Sequence, residues 1–146
     1  MITWEKSKFI NRPQQEVWDF ISNPANLAKW SSSAEYAEWT SEGPPGVGST
    51  LIEVGKVLGR KIESPVEITA WDPPSEFGRK SVGGSAPWES TMKLEPKENG
   101  TLLTISGEVE LGGFLKMAEG LIAKRTEKQG DIDFEALKIL LEAGQV

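Results

Sequence analysis

Neither histidine nor cysteine occurs among the 146 residues, so proton transfer, nucleophilic attack and ligand anchoring fall to carboxylates, arginine, hydroxyls and one phenol. That removes disulfides, thiolate nucleophiles, Cys/His zinc sites, the Ser-His-Asp triad and the usual imidazole base. Two side chains remain as candidate catalytic groups. Arg79 shares the strand parity of Phe77, which turns its guanidinium to the same side as an anchor for a carboxylate or enolate oxygen. Tyr36, the one tyrosine, is the only phenol available as an acid or hydrogen-bond donor. Glu53, Glu63 and Glu67 fall on hairpin strands, where two inward carboxylates would suit acid/base work if burial separated their ionisation; alternation puts Glu63 and Glu67 outward. Asp131-Ile132-Asp133 supplies two acids where a carboxylate-only metal site needs three or more, so no metal and no cofactor is expected. Gly43 to Gly48 lacks the Gly-Lys-Ser/Thr ending of a phosphate loop.

Aromatic area is the second chemical resource. Six tryptophans, Trp4, Trp18, Trp30, Trp39, Trp71 and Trp88, are many for this length, and in a pocket wall each indole gives apolar surface and one N–H donor. Trp18 falls on a predicted helix and reads as core. Trp30, Trp39 and Trp88 fall where a cavity mouth or a sheet face would use them.

Particular elements must position these groups. Alternation from Thr3 to Ile10 predicts a first strand, and Pro13 suits the first turn of a helix whose face is Val17, Phe20 and Ile21 until Asn23-Pro24 stops it. A second short helix is predicted from Pro24 to Trp30, capped by Ser22 or Asn23. Strand texture then repeats. A strand carries Tyr36 and Trp39; a hairpin has Leu51, Val54 and Val57 before a Leu58-Gly59-Arg60 turn and Ile62, Val66 and Ile68 after it. Phe77 to Val82 makes another strand, Trp88 to Leu94 the next, Glu98-Asn99-Gly100 a hairpin turn, and Leu103 to Leu111 the last. From Gly112-Gly113 the period becomes helical: Phe114, Met117, Ala118 and Leu121, then Phe134, Leu137 and Leu141, predict one long amphipathic helix ending near Gly144. About seven antiparallel strands with segregated helices make an α+β fold.

Alternation also assigns an inner face. Leu51, Val66, Ile68, Phe77, Trp88 and Ser90 belong to it, and Met92, Ile105, Gly107 and Val109 continue it. Phe114, Met117, Ala118 and Leu121 are expected to oppose them from the long helix. Ser90, Gly107 and Ala118 are small where a filled core favours bulk, which points to space; a strand bend explains Gly107 equally well. With Trp30, Tyr36, Trp39 and Arg79 these residues form the candidate ligand-binding set.

Sixteen Lys and Arg against 22 Asp and Glu give a net charge of −6, so the average surface repels phosphate backbones and anionic headgroups, and no nucleic-acid partner is expected. No stretch approaches the roughly 18 apolar residues of a spanning helix, the N-terminus has no apolar leader, and a cytoplasmic protein without stable membrane insertion is expected. An edge strand would support a homodimer.

The order of elements and certain words in the sequence resemble the SRPBCC superfamily, the START-like or helix-grip proteins, and within it the polyketide cyclase/dehydrase-like branch. Those words are Pro13-Gln14-Gln15-Glu16-Val17-Trp18-Asp19-Phe20-Ile21-Ser22-Asn23-Pro24, Ala28-Lys29-Trp30, Glu38-Trp39-Thr40 with Gly46-Val47-Gly48, Phe77 opening the fifth strand, and Leu111-Gly112-Gly113-Phe114-Leu115 entering the last helix. The resemblance covers nearly the whole chain. It implies a curved sheet gripping the C-terminal helix around a cavity for lipids, sterols, polyketides or other apolar molecules. It carries no shared catalytic set. The leading expectation is a binding or carrier protein for a small hydrophobic or amphipathic molecule, with a polyketide cyclase/dehydratase-like enzyme and a co-chaperone-like protein-interaction module as alternatives.

Overall fold

Runs in which apolar and polar residues alternate become strands, because alternate side chains then leave opposite faces of a pleated chain. The computed structural model describes residues 1–144 apart from Leu58 and Ser85, and without the side chains of Val57 and Phe114. It shows β1 (Ile2–Ile10), β2 (Ala34–Trp39), β3 (Thr50–Val57), β4 (Arg60–Asp72), β5 (Glu76–Ser81), β6 (Trp88–Lys97) and β7 (Gly100–Val109). They form one sheet in the order β1-β7-β6-β5-β4-β3-β2, antiparallel at every pairing. This is the helix-grip arrangement expected from the sequence.

Between β1 and β2 lie α1 (Gln14–Ile21), a 3-10 turn (Pro24–Asn26) and α2 (Leu27–Trp30). Pro13 stands outside the first turn of α1, at its N-cap with ψ 147°. Asn23 caps the 3-10 turn by accepting from the Ala25 N–H at 3.1 Å. The β6–β7 hairpin turns at Glu98 and Asn99, since Lys97 already pairs with Gly100 and Glu98 holds φ 54°. Gly100 is therefore a strand residue, and a side chain there would strike the Ile10 carbonyl and the Phe9 ring.

The C-terminal helix departs most from expectation. Residues Gly113–Ala118 form a 3-10 turn, and α3 runs from Glu119 to Glu142. Leu121 and Phe134 are thirteen residues apart, about 220° around a helix, so the two apolar runs do not share a face. The face that enters the core carries Phe134, Leu137 and Leu141, exposed by 2% or less. They meet Val17, Trp18, Phe20 and Ile21 of α1 and the sheet residues Leu51, Val66, Ile68, Phe77, Met92 and Leu94 in one buried cluster. No helix among the described residues is long and apolar enough to cross a membrane.

Candidate functional site

Apolar packing fills only one end of the space between sheet and helix. At that end Trp18, Trp71, Trp39 and Phe77 meet edge to face, with ring centroids 5.1–6.2 Å apart. At the other end, beneath the first half of α3, the same two layers leave a partly open cavity of about 530 Å³. The wall holds Ile2 and Trp4 of β1, Met92 of β6, Ile105 of β7, and Ala123, Thr126 and Gly130 of α3. It continues past Trp4, Trp30, Ser33, Arg79 and Ser90 into a cleft of about 300 Å³ beside Glu53, Ile62 and Ser64. A narrow recess of about 20 Å³ behind Trp30 reaches Leu51, Phe77 and Met92.

Polar side chains interrupt this wall from both layers, and two clusters of them are hydrogen-bonded. The first is on the sheet: Arg79 donates from Nη1 to Glu53 Oε2, with side-chain exposures of 16% and 18%. The guanidinium carbon also lies 4.8 Å from the centre of the Trp88 ring. Ser90, paired with Arg79 in the β5–β6 register, donates its hydroxyl to the Ser106 carbonyl at 3.2 Å. The second joins helix to loop: buried Asp133 accepts from Ser32 at 3.3 Å and from Gln129 at 3.0 Å. Beside it Lys6, on β1, pairs with Asp131 and donates to the Glu127 carbonyl at 3.2 Å. The cavity thus combines apolar and tryptophan surface with hydrogen-bonding groups on both sheet and helix, suited to an amphipathic molecule more than a pure hydrocarbon.

The sheet positions expected on the inner face are distributed between core and cavity. Trp30, Arg79, Trp88, Ser90, Met92 and Ile105 come together on the cavity walls, and Leu51 and Phe77 reach the narrow recess. Val66 and Ile68 are packed into the core, 0% and 1% exposed. Trp39 joins the aromatic cluster, against Trp71 at 6.1 Å. Val109 is half-buried beside Ile2 and Trp88, outside these cavity walls.

Several expectations are corrected. Tyr36 is 43% exposed with Lys61 over its ring; it alternates along β2 with Ala37 and Trp39, which face the core, and so faces away from the cavity. Met117 and Leu121 are 89% and 58% exposed. The 3-10 turn and the shifted helical phase aim both outward. Ala118 is half-buried at the end of that turn and off the cavity walls, and the Phe114 side chain lies outside the described residues. Gly107 makes no ligand space: Trp4 is its partner in register, and the indole lies across the position a side chain would occupy.

Sequence reasoning gave Trp4, Asp133 and the Ala123–Gly130 wall no place in the ligand site, and named Glu53 only as a hairpin carboxylate. Trp4 was legible in the alternation of β1. The α3 wall follows from stepping backward at helical spacing from Leu137 and Phe134 to Gly130, Thr126 and Ala123. Glu53 shares Leu51's face, but nothing local showed that Arg79, two strands away, would meet it.

Against known proteins, the family described as polyketide cyclase / dehydrase and lipid transport matches residues 1–142. The uncharacterized protein MT1597 of Mycobacterium tuberculosis is 29% identical over 116 residues, covering 77% of this chain and 78% of that one. Among solved structures, TTHA0849 from Thermus thermophilus superposes with TM-score 0.81 at 18% identity over 99% of both chains. The di-domain ARO/CYC protein BexL, of the BE-7585A biosynthetic pathway, superposes with TM-score 0.71 at 15% identity, over 97% of this chain and 49% of that one. At such identities the structural likeness is one of fold.

Proposed function

The chain belongs to the polyketide cyclase/dehydrase and lipid transport family, and on that premise we propose that it binds or carries a small hydrophobic or amphipathic molecule between the sheet and α3. The observation that carries this reading is the unfilled space itself. About 530 Å³ stays open beneath α3 while the other end of the same two layers packs to full burial. Trp4 and Trp30 line it as broad apolar surfaces, and Trp88 lines the adjoining cleft. Empty apolar volume of this size forgoes dispersion contacts that a ligand would restore.

A cyclase or dehydratase is the second reading, favoured by the charged pair in the wall: the Glu53 carboxylate, held by Arg79, is a base placed beside a hydrogen-bond donor. Tyr36 has no place in such a reaction.

Native mass spectrometry of protein purified from its own host, followed by denaturing extraction, tests both readings. A stoichiometric apolar or amphipathic molecule supports the carrier. A processed product of a candidate substrate supports the enzyme. Protein that is empty and gains no thermal stability from a panel of apolar ligands refutes both and favours a protein-interaction module.

A further inference from the structure

Resting on the ligand-binding reading of this cavity, we propose that the Arg79–Glu53 pair selects uncharged amphiphiles whose head group both donates and accepts hydrogen bonds, primary carboxamides and hydroxy ketones, over free carboxylates. Arg79 of β5 and Glu53 of β3 meet across the intervening β4, more than four-fifths buried, on the wall of the cleft. Guanidinium has five N–H donors in a planar fork. Nη1 serves Glu53, and one face of the plane lies against Trp88. What Arg79 presents to the cavity is therefore a set of N–H groups whose charge is already balanced. Glu53 keeps Oε1 as an acceptor beside them.

A head group carrying both a carbonyl and an N–H or O–H completes this pair, accepting from Arg79 and donating to Glu53. A carboxylate can do only the first. It would also bring a second negative charge against Glu53, whose side chain is more than four-fifths buried. The remaining wall does not balance that charge. Lys6 is engaged by Asp131, Lys56 by Glu35 at 3.4 Å, and Glu127 and Asp133 add negative groups. The carboxylate anchor expected of Arg79 from its position alone thus gives way to a site for neutral polar heads.

Octanamide and octanoate, matched in chain length, test the selection by displacing the neutral apolar fluorophore N-phenyl-1-naphthylamine at neutral pH. The wild-type protein is expected to bind octanamide about tenfold more tightly than octanoate or better. In Glu53→Gln, which frees the Arg79 charge and keeps the shape, the preference should shrink or reverse. Arg79→Gln should weaken octanamide, with circular dichroism reporting that both variants are folded. Equal or tighter binding of octanoate by the wild type overturns the proposal, as does a preference that Glu53→Gln leaves unchanged. If a variant does not fold, the wild-type ratio alone decides. Binding of the fluorophore with displacement by neither amphiphile overturns the selection and leaves the cavity reading standing. Absence of fluorophore and amphiphile binding overturns both.

Discussion

Gly107 shows how a single residue can be read correctly as special and wrongly as to purpose. Its smallness suggested room for a ligand, but the room is taken by Trp4, its partner in register on β1. A side chain at this position would enter the indole and lie 2.8 Å from the Glu89 carbonyl oxygen. Backbone cannot yield as a flexible side chain does, so Gly107→Ala is expected to cost about 1–3 kcal/mol in urea unfolding. A variant as stable as wild type would show that Trp4 swings freely. The same indole is part of the cavity wall, so the substitution should also change the affinity of any bound molecule. Arg79 gives the opposite case: strand parity with Phe77 placed it inward, and inward it lies, but its charge partner came from β3 and was not legible from local spacing. Tyr36 was singled out as the only phenol, but it lies three residues before the core-facing Trp39 in an unbroken stretch of β2, so alternation puts it on the opposite face.

At the scale of elements, α3 is two helices in function. Its second half is anchored by Phe134, Leu137 and Leu141 in the core. Its first half roofs the cavity, and polar contacts, mostly along the second half, tie the helix to β1 and the turn after it. Lys6 pairs with Asp131, Lys8 with Glu135 at 2.9 Å, and Arg12 donates to the Leu141 carbonyl at 3.0 Å near the helix end. Leu137→Ala should therefore destabilise by about 2–5 kcal/mol, whereas Leu121→Ser, on the exposed face, should fall within about 0.5 kcal/mol of wild type by the same denaturation. Comparable losses at the two positions would restore the single apolar face suggested by the sequence. The Lys8 ammonium, by hydrogen bond and then by charge, holds the Glu135 carboxyl below its ordinary range. A carboxyl with a depressed folded value contributes stability above its unfolded pKa and loses it as pH falls through the folded value. Amide protection factors in α3, corrected for the intrinsic pH dependence of exchange, should accordingly fall on acidification below the ordinary glutamate range, and Glu135→Gln should remove that part of the acid response. Since both partners are substantially exposed, added salt at neutral pH should weaken the attachment in the same direction.

For the whole molecule, the consequence of a half-filled interior is that ligand and stability are linked. A molecule that enters the cavity and does not bind the unfolded chain should raise the unfolding free energy by about 2.7 kcal/mol at a hundred times its Kd, read as an upward shift of the thermal midpoint. A ligand, seen by direct titration, that leaves the midpoint unmoved would have to bind the unfolded chain as well as the folded one, and so not through a cavity that only folding creates. By itself the sequence determined the strand count, the α+β layers, the inner face of β4 to β7 and the family, because period-two alternation and turn residues are local signals that tertiary contacts reinforce. Only the tertiary structure decided where the core stops and the cavity begins. That boundary depends on the rotation of α3 after a 3-10 turn, on the register that sets Trp4 over Gly107, and on the meeting of Arg79 with Glu53 two strands away. None of these is a property of neighbouring residues: each is fixed by packing between segments far apart in the chain, where a shift of one residue in register or phase moves a side chain from solvent to ligand.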